Sequence, residues 1–174
     1  LFLCEMGLDP GIDHMSAMKL IDEIHAKGGR ISSLLSHCGG LVAPESDDNP
    51  WHYKISWNPR NIVLAGKAGA VFKKDNEIHQ LAYQSVFENN PTVQVPGLPD
   101  LAWYANRDSL SYIPVYGLED SATFIRTTLR YPSFCKAWNC VVKANLTSED
   151  RASASISNKH SSYREWLDKN IQLY

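Results

Sequence analysis

Apolar and polar positions along this chain change period several times, and the changes predict its elements. A short apolar run, Leu1-Phe2-Leu3-Cys4, fits the end of a strand. Met15 to Lys27 repeats at helical spacing, with Met15, Met18 and Ile21 on one face and Leu20 and Ile24 on its neighbour. Gly28-Gly29 is a fitting stop for that helix. Arg30 to Ser36 alternates loosely and predicts a strand that delivers His37, Cys38, Gly39 and Gly40 to its end. Val42 to Pro50 holds two prolines, two aspartates, an asparagine and a serine and predicts a loop. Trp51 to Trp57 alternates again and predicts a strand, after which Asn58-Pro59 opens a short helix to about Gly66.

The second half reads in the same way. Ala70 to Phe72 and Glu77 to Leu81 predict a hairpin around Lys73-Lys74-Asp75-Asn76. Thr92 to Val95 is a short extended piece, and Leu101 to Ala105 is apolar and aromatic before Asn106-Arg107-Asp108-Ser109. Thr123 to Arg130 predicts a strand, with Thr123, Ile125, Thr127 and Leu129 on one face and Phe124, Arg126, Thr128 and Arg130 on the other. Phe134 to Ala144 has helical spacing, Ser148 to Ser162 reads as a linker or mobile loop, and Tyr163 to Leu173 predicts a last helix. The order of elements implies an α/β domain over residues 1–147, with a mixed sheet packed by helices, then a linker at 148–162 and a C-terminal helix at 163–174.

Composition narrows the function classes. A length of 174 residues suits one domain with a real core. The net charge of -2 and the absence of any basic run give no electrostatic case for nucleic acid. No stretch approaches the roughly 20 apolar residues that span a bilayer. Cys4, Cys38, Cys135 and Cys140 are scattered without a CxxC, so no zinc site is expected and free thiols in a reducing, intracellular compartment are. There is no G-x-G-x-x-G, and Gly66-Lys67-Ala68-Gly69 has the wrong spacing for one. The chain starts without Met inside an apolar run, which reads as a fragment.

The stretch of greatest chemical interest is Glu5-Met6-Gly7-Leu8-Asp9-Pro10-Gly11-Ile12-Asp13-His14. It packs two glycines, a proline, two aspartates and a histidine between two apolar segments, where backbone N–H groups and polar side chains converge. Local pattern alone equally fits an ordinary helix start, with Asp9 as N-cap and Pro10 in the first turn. His14 is a second candidate proton carrier, as imidazoles commonly are, although a helix histidine is more often structural.

Leu8-Asp9-Pro10-Gly11-Ile12-Asp13-His14 resembles the signature of saccharopine dehydrogenases of the glutamate-forming type. Four more blocks follow in that family's order: Ser36-His37-Cys38-Gly39-Gly40; Pro44-Glu45-Ser46 through Asn49-Pro50; Tyr53-Lys54-Ile55-Ser56-Trp57; and Asn106-Arg107-Asp108-Ser109 with Thr128-Leu129-Arg130-Tyr131. The resemblance covers roughly residues 5 to 145. It implies the second, substrate-binding domain of an NAD- or NADP-dependent oxidoreductase of lysine metabolism, with the cofactor held mainly by a Rossmann domain missing from this chain. The implied substrate is saccharopine, whose secondary amine joins lysine to glutamate and which carries three carboxylates. The implied catalytic residues are Asp9 and Cys38, beside the reacting centre. Trp57 would line the pocket; Asn106, Arg107, Ser109, Arg126, Thr128 and Arg130 would bind substrate. Asp108 would orient Arg107 or pair with Arg130. A homodimer contact and a cytoplasmic or mitochondrial location accompany the resemblance.

Two positions depart from the family pattern: His37 stands where it has tyrosine, and Thr127 where it has glycine. Two other readings remain open at this point. One is a non-catalytic dimerisation or ligand-binding module that keeps the fold. The other is an oxidoreductase acting on a different secondary amine.

Overall fold

Residues 1–4, 6–56, 58–149 and 162–171 are described by the structure, a computed structural model. Helix α1 (Ile12–Ala26) turns through Gly28-Gly29 into strand β1 (Ser33–Cys38). A single helical turn, α2 (Arg60–Val63), precedes the hairpin of β2 (Ala70–Lys74) and β3 (Glu77–Leu81). Then come β4 (Thr92–Val93), β5 (Leu101–Ala105), β6 (Arg107–Asp108), the one-turn α3 (Ile113–Tyr116), β7 (Thr123–Arg130), α4 (Pro132–Lys143) and α5 (Tyr163–Ile171).

The seven strands form one mixed sheet organised on β7. β1 lies parallel to it in register, from Ser33 opposite Thr123 to Cys38 opposite Thr128. β1 occupies one edge of β7, so the antiparallel partners β5 and β2 share the other edge, β5 at the C-terminal half and β2 at Phe124. The parallel pair β1–β7 and the antiparallel hairpin answer to the mixed sheet expected from the element order. Phe124, buried completely, packs with Ile21 of α1 and with Tyr116 and Leu118 around α3. Beside it, Phe134 and Val142 of α4 close over Ala102 and Tyr104 of β5. The opposite face holds Ile125 with Ala70, Phe72 and Ala105. β7 is therefore buried on both faces, which its run of β-branched and apolar residues suits.

Several expectations shift. β1 sits at Ser33–Cys38 rather than Arg30 to Ser36, so His37 and Cys38 are its last residues and not its exit loop. Residues 1–4 are coil with exposed side chains and form no strand. Residues 51–56 form no strand either. Their alternation arises from packing instead: Trp51 and Tyr53 rest on Phe134 of α4, while His52 adopts a positive φ of 49° and bonds Asp47. Asp9 is not the helix cap; α1 begins at Ile12, and Gly11 occupies the cap position. The hairpin turns at Asp75-Asn76, both at positive φ as a two-residue primed turn requires. The linker lies outside the described residues over 150–161, as does the predicted helix beyond Ile171.

Gly39, just past β1, lies hard against the backbone of β7 at Leu129. A Cβ built there would lie 2.5 Å from the Leu129 carbonyl oxygen, and backbone cannot yield as a side chain can. Gly39→Ala is expected to lower stability by about 1–3 kcal/mol through forced separation of β1 from β7. Phe124→Ala is expected to cost about 3–5 kcal/mol, the usual range for emptying a buried phenylalanine site. Urea denaturation followed by tryptophan fluorescence measures both losses.

Candidate functional site

Residues 7–11 fold back on themselves, with Gly7 N–H donating to the Pro10 carbonyl and Ile12 N–H to that of Gly7. This tight loop aims the Asp9 side chain at the sheet, while Asp13 follows as the second residue of α1. Both carboxylates meet Arg126, which reaches up from the middle of β7. One nitrogen, Nη2, donates to Asp9 Oδ1 at 2.6 Å and to Asp13 Oδ2 at 2.8 Å. The Tyr112 ring lies against the guanidinium, 4.1 Å from its centroid, within the range of a cation–π contact. Asn106 Nδ2 donates to Asp9 Oδ2 at 3.4 Å, and its backbone N–H donates to the Arg126 carbonyl at 2.8 Å.

The electrostatics of the two aspartates differ. Burial raises the Asp9 carboxyl above the ordinary range, and the charge of Asp13 adds to that against the pull of Arg126. For Asp13, burial also pushes upward, but the bonds from Arg126 and from Gly11 N–H outweigh it and hold the group low. Cys38 lies at the end of β1, opposite Thr128; burial, then Asp9 and Asp13, push its thiol up. His14 is bound into the fold: Nδ1 pairs with the Tyr116 hydroxyl at 2.6 Å and its ring stacks on Tyr112 at 5.0 Å. Burial, more than any charge, pushes the Tyr116 hydroxyl up to about 12.

Of the residues expected from sequence, Asp9, Cys38, Asn106 and Arg126 come together here. Thr128 and Arg130 continue along the same face of β7. The Arg130 guanidinium lies 5.1 Å from the Tyr53 ring and donates to the Leu129 carbonyl; Asp108 does not pair with it. Asp108 accepts from the N–H groups of Leu110 and Ser111 instead, which fixes the turn after β6. Arg107 is exposed, at a positive φ of 47°, beside Asn106. Ser109 is fully buried, and its hydroxyl accepts the Arg126 backbone N–H at 3.0 Å, so it supports β7 rather than facing the cleft. Trp57 lies outside the described residues. His37 and Thr127 are cross-strand neighbours: His37 Nδ1 and Thr127 Oγ1 are 2.6 Å apart.

Sequence reasoning missed Asp13, Tyr112 and Tyr116 as members of this cluster. Asp13 sits inside the signature stretch, four residues after Asp9, which is the one signal that pointed to it. An open cleft of about 460 Å³ runs beside the cluster between α1 and β1, lined by Leu8, Ile12, Asp13, Ser36, His37 and Cys38 among others. Among the described residues no group of three or more His, Cys, Asp or Glu side chains is placed to hold a metal ion, and no helix is long and apolar enough to cross a membrane.

The family model described as "Saccharopine dehydrogenase C-terminal domain" matches residues 7–171. The NADP(+)-dependent, L-glutamate-forming saccharopine dehydrogenase of Saccharomyces cerevisiae is 41% identical over 147 residues, covering 84% of this chain and 33% of that protein. The alpha-aminoadipic semialdehyde synthase of Arabidopsis thaliana is 46% identical over 135 residues, 76% of this chain and 13% of its own length. The solved apo structure of the histidine-tagged S. cerevisiae saccharopine dehydrogenase (L-Glu forming) superposes with a TM-score of 0.78 at 34% identity, over 97% of this chain and 41% of that one. The chain thus spans about a third of the length of the fungal dehydrogenase it matches. With the family model matching residues 7–171 and the whole fold superposing on that dehydrogenase, this chain belongs to the saccharopine dehydrogenase C-terminal domain family.

Proposed function

We propose that this chain supplies the substrate-binding face of an oxidoreductase that cleaves saccharopine to glutamate and aminoadipate semialdehyde. The observation that carries the reading is the convergence of Asp9, Asn106 and Arg126 beside Cys38 at one end of the β1–β7 pair. The names of the fungal relatives carry NADP(+), and a nicotinamide, NADP or NAD, is the electron acceptor the reaction needs. The residues here do not fit it: the sequence has no glycine-rich dinucleotide fingerprint, and the cleft lining is mostly apolar, with no Lys or Arg for a pyrophosphate. The proposal therefore places the cofactor on another part of the protein.

Within this domain the chemistry falls to proton handling and carboxylate binding. The substrate amine must lose its proton before the adjoining C–H bond is oxidised, and the imine that results must then be met by water. Asp9, raised by burial and open on one side, is suited to accept the amine proton and to hold that water. Substrate carboxylates fall to Arg107 and Arg130, whose guanidinium groups form no ion pair among the described residues. Arg126 reaches a substrate carboxylate only by exchanging one of its two aspartates. Thr128, between Arg126 and Arg130 on the same face, adds a hydroxyl. A homodimer contact on this domain belongs to the proposal too, as does a cytoplasmic or mitochondrial location; the mouse relative carries "mitochondrial" in its name.

Calorimetry with saccharopine tests the reading. The wild-type chain is expected to bind, and Arg107→Ala and Arg130→Ala are each expected to weaken binding by roughly tenfold or more, the scale of a lost charged hydrogen bond. A secondary amine with a single carboxylate is expected to bind more weakly than saccharopine. A folded wild-type chain that takes up no saccharopine, or binds it as well after both substitutions, overturns the proposal.

A further inference from the structure

We propose that Asp13 is a positioning residue: it holds the Arg126 guanidinium in place, so that Asp9 can exchange its arginine contact for a substrate proton without leaving the arginine unpaired. The inference rests on the reading of this cluster as the substrate site.

The geometry separates the two carboxylates. Asp13 is 5% exposed and fully committed, with Oδ2 on Arg126 Nη2 and Oδ1 accepting the Gly11 N–H at 2.8 Å. Asp9 is 19% exposed, and its second oxygen has only the long 3.4 Å bond from Asn106. Arg126 is 7% exposed, too deep to be left without an anion at small cost. When Asp9 takes a proton, the pairing with Asp13 and the Tyr112 ring keep the guanidinium compensated and in place. Tyr112 is itself held by the His14 stack, and His14 by Tyr116. The groups facing Asp9 are Asp13 and His14 from α1, Cys38 from β1, Asn106 after β5, Tyr116 of α3, and Arg126 from β7. Of these, Asp13 is the near negative charge, and it acts on Asp9 directly and through the arginine they share.

A stability signature accompanies this division. Asp13 is held below the ordinary carboxylate range, so its contribution is complete above its unfolded value near pH ~4 and is lost as pH falls through its lower folded value. The stability gap between wild type and Asp13→Asn is therefore expected to narrow on acidification below about pH 4, and a gap that stays constant there counts against the proposal.

The deciding experiment is a carbon-detected NMR titration of the Asp9 carboxyl in the full chain, wild type against Asp13→Asn. The asparagine keeps the acceptor for Gly11 N–H and removes the charge. The Asp9 midpoint is expected to move downward, because repulsion is lost and Arg126 falls to Asp9 alone. A folded Asp13→Asn chain with an unmoved Asp9 midpoint overturns the proposal; a purely structural Asp13 would give that result. If Asp13→Asn does not fold, the wild-type chain still decides. Its Arg126 guanidinium resonances are expected to stay in the slowly rotating, bonded state after Asp9 is protonated, and free rotation at that point overturns the proposal. Neither measurement uses saccharopine, so failure of the substrate reading and failure of this one are distinguishable.

Discussion

Arg126 enters the interior on the central strand with a charge it cannot shed, and the sheet closes only because anions meet it there. An unpaired guanidinium at this depth would cost several kcal/mol, a large part of what holds a domain of this size together. Two carboxylates from one short loop and helix start solve the problem. In doing so they tie α1 to β7 across 113 and 117 residues of chain. The same contact that satisfies the fold therefore builds the site. The backbone is recruited as well: Ser109 accepts the Arg126 N–H and Asn106 donates to its carbonyl, so the residues after β5 are pinned to the same point.

The rest of the sheet can be understood as support for that point. β7 pairs on both edges and is buried on both faces, which leaves it little freedom to shift register. A slip of one residue would swing Arg126 to the face that now holds Ile125, Ala70 and Phe72, away from Asp9 and Asp13. Register is thus fixed by charge as well as by apolar packing. Gly39 lets the chain stay close to β7 directly after Cys38, whose thiol lies near the aspartates.

The pair His37 and Thr127 shows how two side chains that look out of place along the sequence can satisfy each other. Read singly, each looks like an intrusion, a titratable ring and an added side chain beside the cleft. In the structure they stand opposite each other on adjacent strands and bond at 2.6 Å, while the imidazole leans on Trp103. Burial lowers the imidazole pKa, so at neutral pH the pair is a neutral hydrogen bond and brings no new charge to the site.

The sequence by itself determined the elements whose pattern is local. The alternation of β7, the apolar run of β5, the hairpin and the helical spacing of α1 and α4 all emerge where the pattern put them, within a few residues. It also carried the ordered motif blocks, and with them the family. Tertiary structure alone decided which arginine is already spent. Arg107, Arg126 and Arg130 look alike along the chain, and only folding shows that Arg126 is neutralised from within while Arg107 stays exposed. It also decided that Ser109 is a buried strut, that Asp9 faces the sheet instead of capping its helix, and that 51–56 packs without pairing. The physical reason is common to all of these. Periodicity reports which face of an element is apolar, whereas the partner of a charge or a hydroxyl is set by contacts between different elements, here between residues 17 to 117 positions apart.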